Sequence, residues 1–327
     1  MMETIALDVH CHLAPLAPGR TAGMRGIGWD ADGRLITIDG YQLAAPSVYR
    51  VEALIAWMDE NRVARSWISI PPPLYRLGLD PVEAEAWTAC VNRALADAAA
   101  RHPDRLSPLF HLPVQHPALA AAIAARQAAT HRPLFAMAAG SADAGLVLSD
   151  SGYAGLWQVL DQLRAFLFLH PVKGCDPRYE AFYLHNLLGS PVETALAAAH
   201  LALSGILERH QGITLCLAHG GGATAAVAGR LERGQVTGRP GADTGAERPR
   251  QAFRRVAVDC ICHDPDALVL AGAMHGRDNV FFGSDWPFSM GLPKPHEQLA
   301  ATDHAFRDAI FQHNPRRLLS QYRLTSE

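Results

Sequence analysis

Metal-binding residue types stand at four separate points of the sequence, each at the end of a short apolar run. His10 and His12 end the first run, His170 and His219 end two middle runs, and Asp285 follows the last. Neutral imidazole and carboxylate are the ligands that borderline divalent ions such as Zn²⁺ prefer. Each piece has an ordinary alternative, because a His-x-His pair arises by chance and an Asp after Gly-Ser is often a turn or helix-cap residue. The coincidence of all of them predicts a catalytic metal centre.

Eight pairs of a strand and a helix are predicted to position these residues. The strands are expected at 5–9, 66–70, 106–112, 134–138, 165–169, 213–218, 255–259 and 279–283. The helices are expected at 51–61, 81–101, 117–128, 154–163, 192–210, 222–233, 265–275 and 296–312. Eight parallel strands close at a radius that side chains can fill, so the pattern predicts an α/β fold, a (β/α)8 TIM-like barrel, as a single domain over 1–327. Reactive groups of such barrels sit at the carboxyl ends of the strands, where the candidate ligands fall.

Two stretches interrupt the alternation. Residues 13–50 contain Asp32-Gly33 between segments able to extend, which predicts a small β insertion over the barrel mouth after the first strand. Residues 234–250 are rich in Gly, Pro and charged side chains, which predicts a mobile loop.

The composition narrows the possible partners. The chain has 327 residues, 49% of them hydrophobic, and 29 Lys and Arg against 32 Asp and Glu give a net charge of −3. The chain can therefore form a large hydrophobic core. Its net charge is close to zero, so the composition shows no excess of positive charge that would bind nucleic acid or an anionic membrane. The six cysteines show no CxxC spacing, and no signal peptide or membrane span is evident, so we expect a cytoplasmic protein that acts on small molecules.

The strings DVHCH, LHP, AHGGG and FFGSDWPF together resemble the amidohydrolase superfamily. Within it, they are similar to the branch of metal-dependent, non-oxidative decarboxylases that includes α-amino-β-carboxymuconate-ε-semialdehyde decarboxylase and several hydroxybenzoate decarboxylases. The likeness covers nearly the whole chain and also includes VDCICHDPDAL around the seventh predicted strand.

The resemblance implies a set of metal ligands, namely His10, His12, His170 and Asp285 around one divalent ion. It implies Zn²⁺, with Mn²⁺ as the alternative, and no organic cofactor. His219 would stand just outside, orienting or deprotonating the water on the ion, and Asp285 would double as a proton carrier. Two-metal relatives carry a bridging lysine at the end of the fourth strand, where this chain has LFAMAAG, so one ion is expected.

The substrate pocket departs from the resembled enzymes. Gln42 stands where the semialdehyde decarboxylase has an arginine that clamps a substrate carboxylate. The substrate therefore lacks a second carboxylate, or Arg50 reaches in instead. His263, after the seventh predicted strand, is a further candidate for contact with the substrate.

Two more features bear on substrate and assembly. Arg178, Phe182 and Tyr183 can line an aromatic-sized pocket, although an ordinary surface loop accounts for them equally well. The arginine at the position of Arg230 reaches a neighbouring subunit's pocket in the resembled enzymes, which implies a homodimer, whereas the alternative is a solvated arginine at a helix end.

Three functions are consistent with the candidate metal ligands and the family resemblance. The first is a decarboxylase of a small hydroxylated aromatic, heteroaromatic or muconate-like carboxylic acid. The second is a hydrolase or hydratase that uses the same single-ion site on a lactone, an amide or an activated double bond. The third is a barrel that only binds a ligand or a metal. The ligand set by itself does not separate them.

Overall fold

Parallel strands alternate with helices through most of the computed structural model, which describes residues 3–140, 145–174 and 176–323. The strands are β1 (Asp8–His12), β2 (Ile27–Trp29), β3 (Ile36–Ile38), β4 (Tyr41–Gln42), β5 (Ser66–Ser69), β6 (Leu106–Pro108), β7 (Phe110–His111), β8 (Phe135–Ala139), β9 (Phe166–His170), β10 (Thr214–Leu217), β11 (Ala257–Asp259) and β12 (Val280–Phe281).

The α-helices are α1 (Pro18–Thr21), α2 (Val51–Glu60), α3 (Pro81–Arg101), α4 (Pro117–Thr130), α5 (Ala154–Gln162), α6 (Ser190–Leu203), α7 (Ile206–Arg209), α8 (Thr224–Val236), α9 (Pro249–Phe253), α10 (Pro265–His275), α11 (Pro295–Gln298), α12 (His304–Asp308) and α13 (Asn314–Gln321). Short π-helical turns occupy His185–Gly189 and Ala309–His313. Among the helices so described, none is long and apolar enough to cross a membrane.

The chain forms two units. The first combines residues 1–111 with residues 282–327, and the second is residues 112–281. In the first unit β1, β5 and β6 form a parallel sheet, with Asp8 opposite Ser66 and Cys11 opposite Ile68. On its other edge β1 bonds to the segment after β12, since the Val9 N–H donates to the Phe282 carbonyl over 3.0 Å. The second unit contains a parallel sheet in the order β12-β11-β10-β9-β8.

The predicted β insertion is present. Strands β2, β3 and β4 form an antiparallel sheet in the first unit. The buried Arg76 ties this sheet down, because its Nε and Nη2 donate to the two carboxylate oxygens of Asp39 over 2.9 and 2.8 Å. The same guanidinium donates to the Arg25 carbonyl and lies 5.1 Å from the ring centre of Trp87 in α3.

The predicted elements occur in the predicted order, but several bounds differ. The strand expected at 106–112 is split into β6 and β7, and the helix expected at 222–233 is α8. The first strand spans β1 rather than 5–9, so His10 and His12 lie inside it. The helix expected at 192–210 is broken into α6 and α7 at Gly205, whose φ of 72° is left-handed. The helix expected at 296–312 is divided among α11, α12 and a π-helical turn, and α13 follows it.

Two predictions about organisation stay predictions. A single domain over 1–327 is not tested by the division into two units, and nothing measures the mobility expected of 234–250. The first residues of that stretch belong to α8, where the buried Gln235 amide donates to the carbonyls of Asp243, Ala246 and Glu247 in the segment after the helix. Cys11, Cys90, Cys216 and Cys262 are free thiols.

Candidate metal centre

Three of the predicted ligands meet in the first unit. The Nε2 atoms of His10 and His12 lie 3.1 Å apart, and Asp285 Oδ1 lies 3.4 Å from the first and 3.1 Å from the second. The two histidines face the same way because they are two residues apart on β1, and all three side chains are buried. Donors about 2.0–2.1 Å from one ion stand about 3.0–3.4 Å apart, so this spacing fits a shared divalent ion.

The ionisation of these groups also suits a metal. Burial lowers the pKa of His12, against the raising effect of Asp285. Burial acts to raise the pKa of Asp285, but the hydrogen bonds and charges of His10 and His12 outweigh it and hold that pKa well below the usual range. His12 Nδ1 lies 3.2 Å from Ser69 Oγ, which orients the ring with Nε2 toward the cluster. Two imidazoles and a carboxylate are a donor set for Zn²⁺ or Mn²⁺.

A buried carboxylate outside the predicted set braces this arrangement. Asp8 accepts the His10 N–H over 3.0 Å, the Ser284 N–H over 3.0 Å and the Ser284 hydroxyl over 2.6 Å. Burial raises the pKa of Asp8 to about 7, against the lowering effect of these hydrogen bonds. The Asp8–Ser284 contact thus joins the strand of His10 to the segment of Asp285, whose own φ is left-handed at 54°. In the sequence, Asp8 is marked only by its position two residues before the His-x-His pair, and that position does not indicate its contact with Ser284.

The second unit presents the remaining two candidate histidines side by side. His170 is the last residue of β9, and its Nδ1 lies 2.7 Å from the Pro171 carbonyl. Nδ1 therefore carries the proton, and Nε2 carries the lone pair that a metal needs. His219 follows β10, and its ring meets that of His170 edge-on, with centres 5.0 Å apart and an interplanar angle of 72°.

The candidate metal ligands are divided between the two units. His10, His12 and Asp285 meet in the first unit, His170 ends β9 in the second, and all four residues are buried and can each offer one ligand atom. These are the four ligands that the sequence resemblance implies.

The residues predicted to bind substrate lie on the surface of the single chain. Phe182 and Tyr183 are 86% and 58% exposed, at left-handed φ values of 56° and 59°. Arg178 is exposed and paired with Asp176. The other four are also exposed: Gln42 in β4, Arg50 before α2, Arg230 in α8 and His263 after β11. Nothing in a single chain tests whether they contact substrate, so these assignments stay predictions.

A buried aromatic pair that the sequence did not single out lies in the first unit. The Tyr75 and His111 rings are stacked, with centres 5.3 Å apart and an interplanar angle of 20°. Burial, and after it the charge of Asp285, raises the pKa of Tyr75 well above its usual value. The Asn92 side chain holds the main chain of His111 by two hydrogen bonds. Its NH2 group donates to the His111 carbonyl over 3.0 Å, and its Oδ1 accepts the His111 N–H over 2.7 Å.

This pair predicts an acid sensitivity. Burial lowers the pKa of His111 from 6.5 to about 3, so the folded chain leaves it unprotonated while the unfolded chain takes up a proton below pH 6.5. The folded state therefore loses stability as the pH falls from about 6.5 toward 3, by about 2 kcal/mol at pH 5. His111→Phe keeps a stacked ring but removes the titrating group. In urea unfolding, we expect the free energy of unfolding to fall by about 2 kcal/mol less between pH 7 and pH 5 in this variant than in the wild type. The exposed His131→Phe is the control, and an unchanged pH dependence in His111→Phe would contradict the assignment.

Parallel α/β units with strand-borne histidines and an aspartate define the class of metal-dependent barrel enzymes. The amidohydrolase family matches residues 7–321, and the chain belongs to this family.

Two relatives in sequence are described as 2-amino-3-carboxymuconate-6-semialdehyde decarboxylases. The one from Dictyostelium discoideum is 28% identical over 68% of this chain, and the match spans 63% of that protein. The one from Caenorhabditis elegans is 24% identical over 80% of this chain and 76% of its own length.

Solved structures confirm the predicted fold class. A 5-carboxyvanillate decarboxylase from Sphingomonas paucimobilis is 21% identical and superimposes with a TM-score of 0.80, covering 99% of this chain and 100% of that one. A dihydroxybenzoic acid decarboxylase from a Polaromonas species, solved with manganese and the inhibitor 2-nitroresorcinol, is 20% identical, with a TM-score of 0.75 over 98% of this chain and 97% of that one. The fold is the (β/α)8 barrel of these proteins.

Proposed function

We propose that this protein is a metal-dependent, non-oxidative decarboxylase of a small hydroxylated aromatic, heteroaromatic or muconate-like carboxylic acid. The observation that carries the proposal is the buried cluster of His10, His12 and Asp285 in the first unit. In the second unit the fourth candidate ligand, His170, packs against His219. The relatives named as decarboxylases support it, because they share the family and the fold.

The reaction needs two things from the protein. Loss of CO2 leaves an electron pair on the carbon that bore the carboxylate, so that charge must be stabilised and the carbon must receive a proton. A divalent ion held by the four ligands would supply Lewis acidity to a substrate carboxylate oxygen and a neighbouring oxygen or ring nitrogen.

The chain's own residues supply the proton. Imidazole ordinarily titrates near pH 6.5, so a histidine can carry a proton in and out at working pH. His219, in contact with the His170 ring, is the proposed carrier. Asp285 is the less suitable donor, because the contacts that depress its pKa favour its ionised, ligating form.

The remaining assignments are part of the same proposal. One ion per chain is expected, with Zn²⁺ favoured on ligand chemistry and Mn²⁺ as the alternative that the Polaromonas structure supports. No organic cofactor is required. A homodimer and a cytoplasmic location remain predictions, the first resting on Arg230 and the second on the scattered cysteines.

Release of CO2 is the decisive measurement. The purified protein, loaded with Zn²⁺ or Mn²⁺, is incubated without oxygen or nicotinamide with 2,6-dihydroxybenzoate, 5-carboxyvanillate and 2-amino-3-carboxymuconate-6-semialdehyde. We expect one acid to yield one CO2 per molecule consumed, and the same protein treated with a chelator to yield none. If acids are consumed as hydrated or hydrolysed products without CO2, the decarboxylase proposal is wrong and the hydrolase or hydratase alternative gains.

A further inference from the structure

The loop that carries His219 has an unusual backbone. His219, Gly220, Gly221 and Gly222 all have left-handed φ values, of 56°, 63°, 77° and 59°. Glycine adopts this region readily, but a histidine there is disfavoured by contact between its Cβ and the main chain. The conformation of His219 must therefore be held by neighbouring groups.

Asp259 is the group that holds it. This residue ends β11, is fully buried, and accepts the His219 N–H at Oδ2 over 2.9 Å and the Gly220 N–H at Oδ1 over 2.8 Å. Its Oδ1 also accepts the N–H of Ile261 over 3.0 Å, which fixes the carboxylate on its own strand. Hydrogen bonds to a charged acceptor are stronger than those between neutral groups, so a carboxylate is well suited to fix this turn.

Close packing restricts the loop as well. A Cβ on Gly220 would lie 2.3 Å from Cys262 Sγ, and a Cβ on Gly222 would lie 2.2 Å from the Pro191 carbonyl oxygen. The loop is thus pressed between the segment after β11 and the start of α6. Glycine at these positions lets the main chain approach close enough for the bonds to Asp259.

We infer that Asp259 is a positioning residue that acts through His219. By binding two successive main-chain N–H groups it fixes the left-handed turn that sets the His219 ring against His170. The inference rests on the proposed function, in which His219 carries the proton. It assigns a task to a strand-end carboxylate that is not one of the metal ligands.

Asp259→Asn tests this in the metal-loaded enzyme. The amide has the same shape, but its NH2 replaces one acceptor, so at least one main-chain N–H of the turn loses its partner. By hydrogen exchange of the peptide covering 216–223, we expect the amides of residues 219 and 220 to exchange at least about 10-fold faster. We expect kcat for CO2 release to fall about 10- to 100-fold, because small misplacements of a reacting group are costly, with KM changed less than about 3-fold. The metal content is expected to stay unchanged.

Asp264→Asn is the matched control. It makes the same change of charge five residues further along the chain, but the exposed Asp264 caps α10 by accepting the Ala267 N–H over 2.8 Å. We expect neither the exchange at residues 219 and 220 nor kcat to change in this variant. In a His219→Gln background, Asp259→Asn is expected to lower kcat by less than about 2-fold, because the residue it acts through is already lost.

Two results would overturn the inference: unchanged exchange at residues 219 and 220 in Asp259→Asn, or a full kcat loss that persists in the His219→Gln background. Should Asp259→Asn not fold, Asp259→Ser removes the carboxylate while leaving space for a water, and the same measurements and criteria apply. If the wild type releases no CO2 from any acid, the proposed function fails, and hydrogen exchange alone still decides whether Asp259 fixes the turn.

Discussion

Asp285→Ala is expected to remove the bound metal, from about one equivalent per chain to less than about a tenth, and His10→Ala is expected to do the same. Each variant takes away one of three donor atoms that lie 3.1–3.4 Å apart in the wild type. The remaining donors provide too few bonds for a tight site, and CO2 release should fall by at least about 1,000-fold. Elemental analysis of the purified variants measures the metal, and the CO2 assay measures the rate.

His313→Ala is the matched control for metal loss. Its side chain is exposed and contacts Asp308 at 2.8 Å, away from the cluster. A thermal shift gives a second reading, because an ion that binds only the folded state stabilises it by about 2.7 kcal/mol at 100 times its Kd. We expect that stabilisation in the wild type and in His313→Ala and not in Asp285→Ala. Full metal content in both ligand variants would remove the proposed site.

His219→Gln is expected to separate catalysis from metal binding. Loss of a general acid or base typically costs about 100- to 10,000-fold in rate, and we expect kcat to fall within that range. The four ligands remain, so the metal content should stay near one equivalent. The pH profile of kcat should also lose the limb that the histidine contributes, since glutamine does not titrate.

His210→Gln serves as the comparison, since this histidine follows α7 and is only partly buried. It should leave kcat, the pH profile and the metal content unaltered. A His219→Gln enzyme that keeps more than about half of its kcat would exclude His219 as the proton carrier. A His219→Gln enzyme that loses its metal would instead show that His219 contributes to metal binding.

The fold class and the grouping of His10, His12 and Asp285 were predictable because they depend on local patterns. An apolar run that ends in His or Asp indicates the end of a strand, and this pattern can be recognised without knowing the rest of the sequence. The bounds were less predictable: the run before His10 ends at Val9, but β1 continues to His12, because bonds to β5 and to the segment after β12 hold it extended. Hydropathy gives no indication that polar side chains such as His10 and His12 are buried.

The bracing carboxylates were not predictable from the same patterns. Asp8 accepts from Ser284, which is 276 residues away, and Asp259 accepts from His219, 40 residues away. Both bonds depend on main-chain geometry that exists only after the strands have paired. Phe182 and Tyr183 are exposed and lie in a left-handed turn, and no sequence period indicates either property.

The Asp8–Ser284 contact has a consequence for how the chain is made. It joins the first and the last parts of the sequence, and the Ala6 N–H reaches still further, to the Phe311 carbonyl. Because synthesis proceeds from the amino end, His10 and His12 leave the ribosome long before Asp285 does. The first unit cannot close during most of translation, and contacts so distant in sequence form slowly. A chain that stops before residue 285 would therefore carry His10 and His12 without the carboxylate that contacts both of them in the folded unit.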